Sequence, residues 1–410
     1  MTALAPEMQP IIQAYRAART KRLEEAKVTE ASLQAGLEVP EIAVQNPAES
    51  PGSESAVIPF RAHGVAGIAL EAVEVRVDGV LDSRIPARRS QELESAATVR
   101  LSSGRNNIEL TAIDERGHRS LMETVVVDYA PTKRHRTLYL VAIGLSRYQT
   151  QSMNLTFAAK DAGDLTTYFR ERIRELGSNA AFDEIIALDP ITDSAATRDG
   201  ILKLKETLSH AMVDDTVIVF FAGHGILDSR LNFFFAPFDM NFTVPSQKGI
   251  SIAEMEEILS TSHSRRRLLM IDACHSGELD SAMITTTSTS RAHAPSGARG
   301  FELEASAATA NAFDLVRSLF MDVRDNTGTN IISASRGTEV AYESGKVANG
   351  YFTRAVLDGL RDRKADADEN GQVSVSELAA WVADEVQRLS DGRQTPNLRQ
   401  ENLEQDFPME

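Results

Sequence analysis

Two stretches of the sequence decide the fold: TVIVFFAGHG at residues 216–225 and LLMIDACHSG at residues 268–277. Each is an unbroken apolar run that leads into a reactive polar side chain and a glycine. Such runs are typical of strands that are buried on both faces, as in a parallel sheet covered by helices. In open α/β sheets, functional side chains collect beyond the carboxyl ends of the strands. The two stretches therefore predict that His224 and Cys274 lie at the same edge of one sheet.

From residue 136 onward, the rest of the sequence repeats this pattern of apolar strands and amphipathic helices. Strands are predicted at Leu138–Ile143, Glu184–Leu188, Thr216–Phe221, Leu268–Ile271 and Asn330–Ala334. Helices are predicted at Ala158–Leu176, Thr197–Ala211, Ile252–Leu259, Phe352–Leu360 and Ser376–Leu389. The alternation predicts that residues 136–410 form an α/β domain, with a mostly parallel sheet sandwiched by helices.

Residues 1–55 predict an N-terminal helix followed by a linker. Apolar residues recur at helical spacing near the start of the chain, and residues 40–55 are rich in Pro, Ser and Glu. The sequence does not indicate what this helix does.

Residues 56–131 predict a small β-sandwich. Apolar and charged residues alternate over residues 73–77, and Asp78-Gly79 is a hairpin turn signal. The stretch GRNNIELTAIDERGHRS, at residues 104–120, resembles the late strands of bacterial immunoglobulin-like modules. Two roles stay open for this module, namely docking of a partner or substrate and simple spacing.

Composition excludes several classes of protein. Asp and Glu outnumber Lys and Arg by 59 to 43, and the net charge of -16 repels phosphate backbones, so we expect no nucleic-acid partner. No apolar stretch reaches the roughly 18 residues that a membrane span needs, so we expect no membrane partner. The single cysteine, Cys274, excludes a disulfide framework and a cysteine-rich zinc site within one chain. With no apolar secretion signal at the start, these features predict a cytoplasmic protein.

The polar residues at the two strand ends suit nucleophilic catalysis. A thiol beside an imidazole can be held as the thiolate, which is the competent nucleophile near neutral pH. Glycines beside them let backbone N–H groups approach a reacting carbonyl, so the N–H groups of Gly225 and Cys274 are the predicted oxyanion hole. A lone cysteine or histidine is more often structural. Here, however, His224 and Cys274 are 50 residues apart (274 minus 224), which matches the spacing between histidine and cysteine in caspases.

On these residues the sequence resembles the caspase and metacaspase superfamily of cysteine endopeptidases, from about residue 136 to residue 408. Other similar features are LYLVAIGLSRY (138–148), NLTFAAKDAGDL (154–165), IISASRGTEVAYE (331–343) and GYFTRAVLDGL (350–360). The resemblance implies that Cys274 is the nucleophile and His224 the general base of a dyad, with no cofactor required for the chemistry. It implies a structural role for His275.

Asp272 and Asp161 predict the residue after which the enzyme cleaves. Animal caspases carry glutamine two residues before the nucleophile, whereas this chain has Asp272 there, as metacaspases do. Asp161 matches a second metacaspase aspartate that faces the specificity pocket. Two carboxylates in one pocket favour a cation between them, so we expect protein substrates with Arg or Lys at P1, the residue before the cleaved bond. The alternative is that Asp272 orients its turn and Asp161 stabilises a helix start.

Residues 277–311 are rich in Ser, Thr and Ala and are predicted to form a loop after the nucleophile, where caspases are cut between their large and small subunits. It contains Arg291 and Arg299, which we interpret as candidate processing sites of a zymogen, cut by the enzyme itself or by an upstream activating protease. An inert surface loop is the alternative.

Residues 366–377 fit the EF-hand pattern D-x-[DN]-x-[DN]-G-x₅-E at every fixed position. The pattern predicts tentative Ca²⁺ ligands at Asp366, Asp368, Asn370, Gln372, Ser374 and Glu377. The alternative is a solvated loop that caps the next helix.

Taken together, the sequence predicts a regulated cysteine endopeptidase with a basic P1 preference. Similar bacterial proteins suggest a role in stress, cell death or defence. The alternative from another class is an inactive caspase-like scaffold that binds a partner. A third, weaker alternative is another peptidase or an esterase of related fold.

Overall fold

The computed structural model describes residues 20, 38–46, 53–65, 67–131, 135–177, 180–228, 232–273, 328–335, 341–400 and 406–410. The chain divides into two compact units with a boundary after residue 134. Within the described part of the chain, none of the helices is both long and apolar enough to cross a membrane.

The first unit is built from two antiparallel sheets. Its strands are β1 Glu41–Val44, β2 Ser55–His63, β3 Leu70–Val77, β4 Val80–Pro86, β5 Glu92–Arg100, β6 Gly104–Asp114 and β7 Glu123–Tyr129. One sheet has the order β1-β2-β5 and the other β4-β3-β6-β7. Alternate residues of both sheets, such as Ile58 and Val75, are buried in one common core. The unit is therefore a β-sandwich, as period-two alternation predicts.

Local sequence explains one turn of this unit. Asp78 and Gly79 both have positive φ, 51° and 77°, and join β3 to β4 as the turn signal predicts.

The predicted linker at residues 40–55 differs from the structure, because Glu41–Val44 forms β1 and pairs with β2. Ile42 and Val44 of this strand pack against the core. The predicted N-terminal helix lies outside the described residues apart from Thr20.

The second unit contains the central sheet and its helices. Its strands are β8 Thr137–Gly144, β9 Glu184–Ala187, β10 Ile191–Thr192, β11 Thr216–Gly223, β12 Gly225–Leu227, β13 Phe233–Phe235, β14 Ile250–Ser251, β15 Arg266–Ala273, β16 Thr329–Ser333, β17 Glu343–Ser344, β18 Asn349–Gly350 and β19 Asn397–Arg399. Its helices are α1 Ala158–Leu176, α2 Arg198–Leu202, α3 Leu204–Leu208, α4 Pro245–Lys248, α5 Ile252–Ser260, α6 Tyr351–Arg361 and α7 Val375–Leu389.

The central sheet has the strand order β10-β8-β11-β15-β16-β19, and β9 also pairs with β8. All of these pairs are parallel except β16 with β19. Every residue of β8 and β11 is buried, so both faces of the sheet are covered. Leu140, Phe220 and Met270 pack on one face with apolar residues of α1, α6 and α7. This architecture confirms the predicted fold class, an α/β sheet between helices preceded by an antiparallel β unit.

One predicted helix is divided in two. Within the predicted helix at residues 197–211, the structure has α2 and α3, which end at Leu208, with a break at Lys203. The ψ of Lys203, -16°, is close to a 3₁₀ value. A 3₁₀ turn aligns residues three apart, so Leu204 lies on the same buried side as Ile201. The break therefore preserves the buried side of the predicted helix.

Candidate active site

The strands that lead into the predicted dyad end side by side. β11 and β15 are parallel neighbours, and their last residues, Gly223 and Ala273, are partners in the register. His224 follows β11 directly. Cys274 follows Ala273 in the sequence and lies outside the described residues, so its distance from His224 stays a prediction. The pairing brings the two strand ends to one edge of the sheet, as the sequence predicts.

The His224 imidazole is fixed by a backbone carbonyl. Its Nε2 lies 2.8 Å from the carbonyl oxygen of Met153, and the residue is only 5% exposed. Because a carbonyl oxygen only accepts hydrogen bonds, this contact assigns the proton to Nε2 and makes Nδ1 the basic nitrogen. In a Ser-His-Asp triad, a carboxylate orients the imidazole in this way. The sequence gives no signal for Met153 because the main-chain carbonyl acts, whatever the side chain.

Tyr148 is a second neighbour of His224 that the sequence analysis missed. Its hydroxyl oxygen accepts a hydrogen bond from the backbone N–H of His224 at 3.0 Å. Its ring lies against the imidazole with 5.2 Å between centroids, and the Phe242 ring meets the imidazole edge-on at 6.3 Å. Tyr148 ends the stretch LYLVAIGLSRY, so its place after the first strand of the sheet was the available signal. These aromatic rings cover one side of the buried histidine.

The loop between β8 and α1, residues 145–157, carries both Met153 and Tyr148. One Asp193 carboxylate oxygen accepts hydrogen bonds from the backbone N–H groups of Ser146 and Arg147, each at 2.8 Å. The Asn154 side chain accepts another from the N–H of Tyr148 at 2.9 Å. These hydrogen bonds, one within the loop and two to Asp193, hold the loop in place. They therefore fix the groups that orient His224.

Glycines flank His224 for different reasons. A Cβ on Gly223 would lie 2.8 Å from the Tyr148 hydroxyl oxygen and 3.1 Å from the Phe235 ring, so any larger residue would displace Tyr148. Gly225 begins β12, which pairs with β13. The predicted oxyanion donors, the N–H groups of Gly225 and Cys274, therefore follow the ends of neighbouring strands, and their role stays a prediction.

Asp161 and Asp272, the predicted pocket carboxylates, are both fully buried. Asp161 lies in the first turn of α1 and accepts hydrogen bonds from the Asn349 side chain at 2.8 Å and from the Gly350 N–H at 3.2 Å. Asp272 lies near the end of β15, and its Oδ2 accepts a hydrogen bond from the Thr353 hydroxyl at 2.7 Å. The structure therefore brings both carboxylates to one short segment, from the end of β18 to the first turn of α6.

The two candidate processing sites, Arg291 and Arg299, lie outside the described residues. The predictions for them are therefore unchanged.

Three predicted calcium ligands lie close together. Carboxylate oxygens of Asp366, Asp368 and Glu377 are all within 4.8 Å of one another. Gly371 has the positive φ, 85°, that the sharp turn of the pattern needs. Exposed acidic groups also occur without a metal, so calcium binding at this loop stays a prediction.

The same loop also caps α7, as the alternative interpretation expects. Glu377 and Ser374 form a reciprocal capping box, and Glu377 also accepts hydrogen bonds from the N–H groups of Ala367 and Asp368. Burial raises the pKa of Glu377, but hydrogen bonds from Ser374, Asp368 and Ala367 outweigh it and lower the pKa below its ordinary value. Asn370 accepts a hydrogen bond from the backbone N–H of Gln372 at 2.8 Å.

Comparison with known proteins identifies the family of the second unit. No curated protein matches the sequence. A crystal structure of a Geobacter sulfurreducens protein is 17% identical, covers 64% of this chain and 92% of its own, and has a TM-score of 0.40. The fibronectin(III)-like modules of Clostridium thermocellum CbhA are 17% identical over 23% of this chain and 100% of theirs, with a TM-score of 0.19. A Bacillus cereus polysaccharide deacetylase is 11% identical over 61% of this chain and 73% of its own, with a TM-score of 0.15.

The family model described as Caspase domain matches residues 138–408. Apart from Thr137, this range contains the central sheet, together with His224, Cys274 and the predicted pocket carboxylates. Since the match spans more than half of the chain, the protein belongs to the caspase domain family of cysteine peptidases.

Proposed function

We propose that the protein is a cysteine endopeptidase that cleaves proteins after arginine or lysine, with Cys274 as nucleophile and His224 as general base. The observation that carries this proposal is the register pairing of Gly223 with Ala273, the residues that precede the dyad. The contact of His224 Nε2 with the Met153 carbonyl supports it, because it makes Nδ1 the proton acceptor.

The proposed reaction has two halves. The Cys274 thiol gives its proton to Nδ1 of His224, and the thiolate attacks the scissile carbonyl carbon. The N–H groups of Gly225 and Cys274 stabilise the negative charge that moves onto the carbonyl oxygen. As the C–N bond breaks, His224 protonates the departing amine. Water then gives a proton to His224 and attacks the thioester, which releases the carboxylic acid and restores the thiol.

The basic specificity rests on Asp161 and Asp272. Both carboxylates are removed from water and touch the same segment of chain. Buried carboxylates interact strongly with a cation that enters the same space, and a guanidinium can bind them through directed, charge-assisted hydrogen bonds. A substrate aspartate, as in animal caspases, would meet two negative charges there.

Activation and cellular role are further parts of the proposal. Cleavage after Arg291 or Arg299 in the loop after the nucleophile would convert a zymogen to the active enzyme, through the enzyme itself or an upstream protease. We place the enzyme in the cytoplasm, in a stress, cell-death or defence pathway, on the single cysteine and on the resemblance to bacterial caspase-like proteins.

The activation proposal is tested with the double variant Arg291→Ala/Arg299→Ala. Gel analysis and a peptide assay compare it with the wild type. Loss of the processed bands together with reduced activity is expected, whereas unchanged processing and activity would reject the proposal.

The catalytic proposal is tested by reaction with an arginyl chloromethyl ketone, before and after limited proteolysis of the loop. The thiolate displaces chloride, and mass spectrometry locates the adduct. We expect one adduct per chain on Cys274, none on the Cys274→Ala variant, and much slower labelling of His224→Ala. His210→Ala, which removes an exposed histidine, serves as the matched control and is expected to react like the wild type. Absence of any adduct on the wild type would favour the inactive scaffold.

A further inference from the structure

The segment Asn349–Thr353 contacts both predicted pocket carboxylates. Asn349 and Gly350, at the end of β18, donate hydrogen bonds to Asp161. Thr353, in the first turn of α6, donates one to Asp272 at 2.7 Å. Asp161 and Asp272 belong to elements far apart in the sequence. This segment therefore supports both carboxylates through hydrogen bonds, and we call it the shared support.

The support is buried. Thr353 is fully buried and Asn349 is 4% exposed, like the carboxylates that they contact. Hydrogen bonds in such surroundings are stronger than in water, and the donors have no competing solvent. The positions of the two carboxylates are therefore set by these donors more firmly than they would be at a surface.

Asn349 also ties the segment to a second acid of α1. Its side-chain nitrogen donates to Asp164 Oδ2 at 2.8 Å as well as to Asp161. Asp164 is itself paired with Lys160 one turn earlier on the helix. Asn349 therefore fixes the start of α1 against the end of β18, and Thr353 fixes the end of β15 against α6.

A fixed spacing between carboxylates matters more for arginine than for lysine. A guanidinium is planar and donates hydrogen bonds in set directions, whereas an ammonium group is a compact charge that adapts to many arrangements. Groups that hold two carboxylates in place therefore favour arginine over lysine.

We propose that Asn349 and Thr353 are positioning residues that set the spacing of Asp161 and Asp272 and thereby favour arginine over lysine at P1. The inference rests on the proposed endopeptidase function and adds two specificity-determining residues to it. Neither residue needs to touch the substrate.

The test measures kcat/KM for a pair of peptides that differ only in Arg or Lys at P1. Thr353→Val keeps the shape of the side chain and removes the hydroxyl. We expect its kcat/KM for the Arg peptide to fall about tenfold, the size of one charge-assisted hydrogen bond, with a smaller fall for the Lys peptide. Thr353→Ser keeps the hydroxyl and should retain the wild-type Arg-to-Lys ratio. Asn349→Ala should lower the ratio in the same direction as Thr353→Val.

Thr166→Val is the matched control. Thr166 is also buried on a helix of this unit, but its hydroxyl donates to the backbone carbonyl of Ala162. We expect it to keep the wild-type ratio whatever it does to stability, which thermal unfolding of every variant measures. An equal fall for both peptides, or an unchanged ratio in both Thr353→Val and Asn349→Ala, would overturn the inference and leave the proposed function intact. If the wild-type protein cleaves neither peptide even after limited proteolysis of the loop at residues 277–311, both this inference and the proposed function would be overturned.

Discussion

The orientation of His224 comes from main-chain and aromatic neighbours. The Met153 carbonyl defines which nitrogen carries the proton, and the Tyr148 hydroxyl holds the backbone N–H of the histidine. Both neighbours belong to the loop between β8 and α1. The proposed dyad therefore needs no third side chain to orient His224, provided that this loop keeps its conformation.

Tyr148→Phe tests this arrangement, because it removes one hydroxyl and keeps the ring against the imidazole. We expect kcat to fall about tenfold, since an uncompensated backbone N–H lets the strand end move, while KM changes little. Steady-state kinetics on an Arg peptide is the measurement. Tyr139→Phe, a change in β8, should behave like the wild type, and equal kinetics for the two variants would contradict the role of the Tyr148 hydroxyl.

Gly223→Ala tests the close approach at the same place. The new methyl group would lie 2.8 Å from the Tyr148 hydroxyl oxygen, so the buried Tyr148 ring must move. We expect kinetics to show a loss of activity. Expressed as a free energy, this loss should exceed the loss of stability measured by calorimetric unfolding. Activity at the wild-type level would show that the hydroxyl position has no influence on His224.

At the scale of elements, sequence patterns predicted the parts that burial determines. β11 and β15 are unbroken apolar runs, and such runs leave few alternatives to a buried strand. β1 was missed because a strand of Glu41–Val44 is too short for a periodic pattern and lies among Pro, Ser and Glu residues.

The site was predictable only in part for a different reason. His224 and the predicted pocket carboxylates have side chains whose chemistry marks them as candidates. Met153 contacts His224 through its backbone, and Asn349 and Thr353 contact carboxylates of residues distant in the sequence. Such contacts depend on the packing of β15, α1 and α6, which no local pattern specifies.

The cap of α7 predicts a pH-dependent contribution to stability. Hydrogen bonds lower the pKa of Glu377 below its ordinary value of 4.5, so the stabilisation is complete above that pH and is lost as the pH falls through the folded-state pKa. Glu377→Gln keeps the acceptor oxygen and removes the charge, so it should lower stability near pH 7 by about 0.5 kcal/mol, and the difference should shrink below pH 4.5. Chemical unfolding at both pH values measures it. Glu369→Gln, in the same loop, is the control, and a difference that is independent of pH would contradict the account.

Calcium addition tests the other interpretation of this loop. If the sequence pattern is a functional EF-hand loop, calorimetry on chelator-treated protein gives a binding heat that Asp368→Ala abolishes and Glu369→Gln retains. The melting temperature of the wild type should rise with calcium, since a ligand that binds the folded state stabilises it. No heat at millimolar calcium would leave the loop as a helix cap only.

At the scale of the whole molecule, charge should influence the choice of substrate. The chain carries a net charge of -16, which attracts basic peptides at a distance that salt shortens. We expect kcat/KM for a strongly basic peptide to fall about threefold between about 0.05 M and 0.3 M NaCl. A peptide with the same P1 arginine and acidic flanks should change less. Equal salt dependence for the two peptides would contradict steering by the overall charge.

A peptide library that varies the P1 residue tests the central claim most directly. It is digested with the protein after limited proteolysis of the loop at residues 277–311. The proposed dyad of Cys274 and His224 and the predicted pocket carboxylates predict cleavage after Arg or Lys. They also predict loss of that cleavage in Cys274→Ala and a strong reduction in Asp272→Asn. Cleavage after Asp, or basic cleavage that survives Cys274→Ala, would contradict the account.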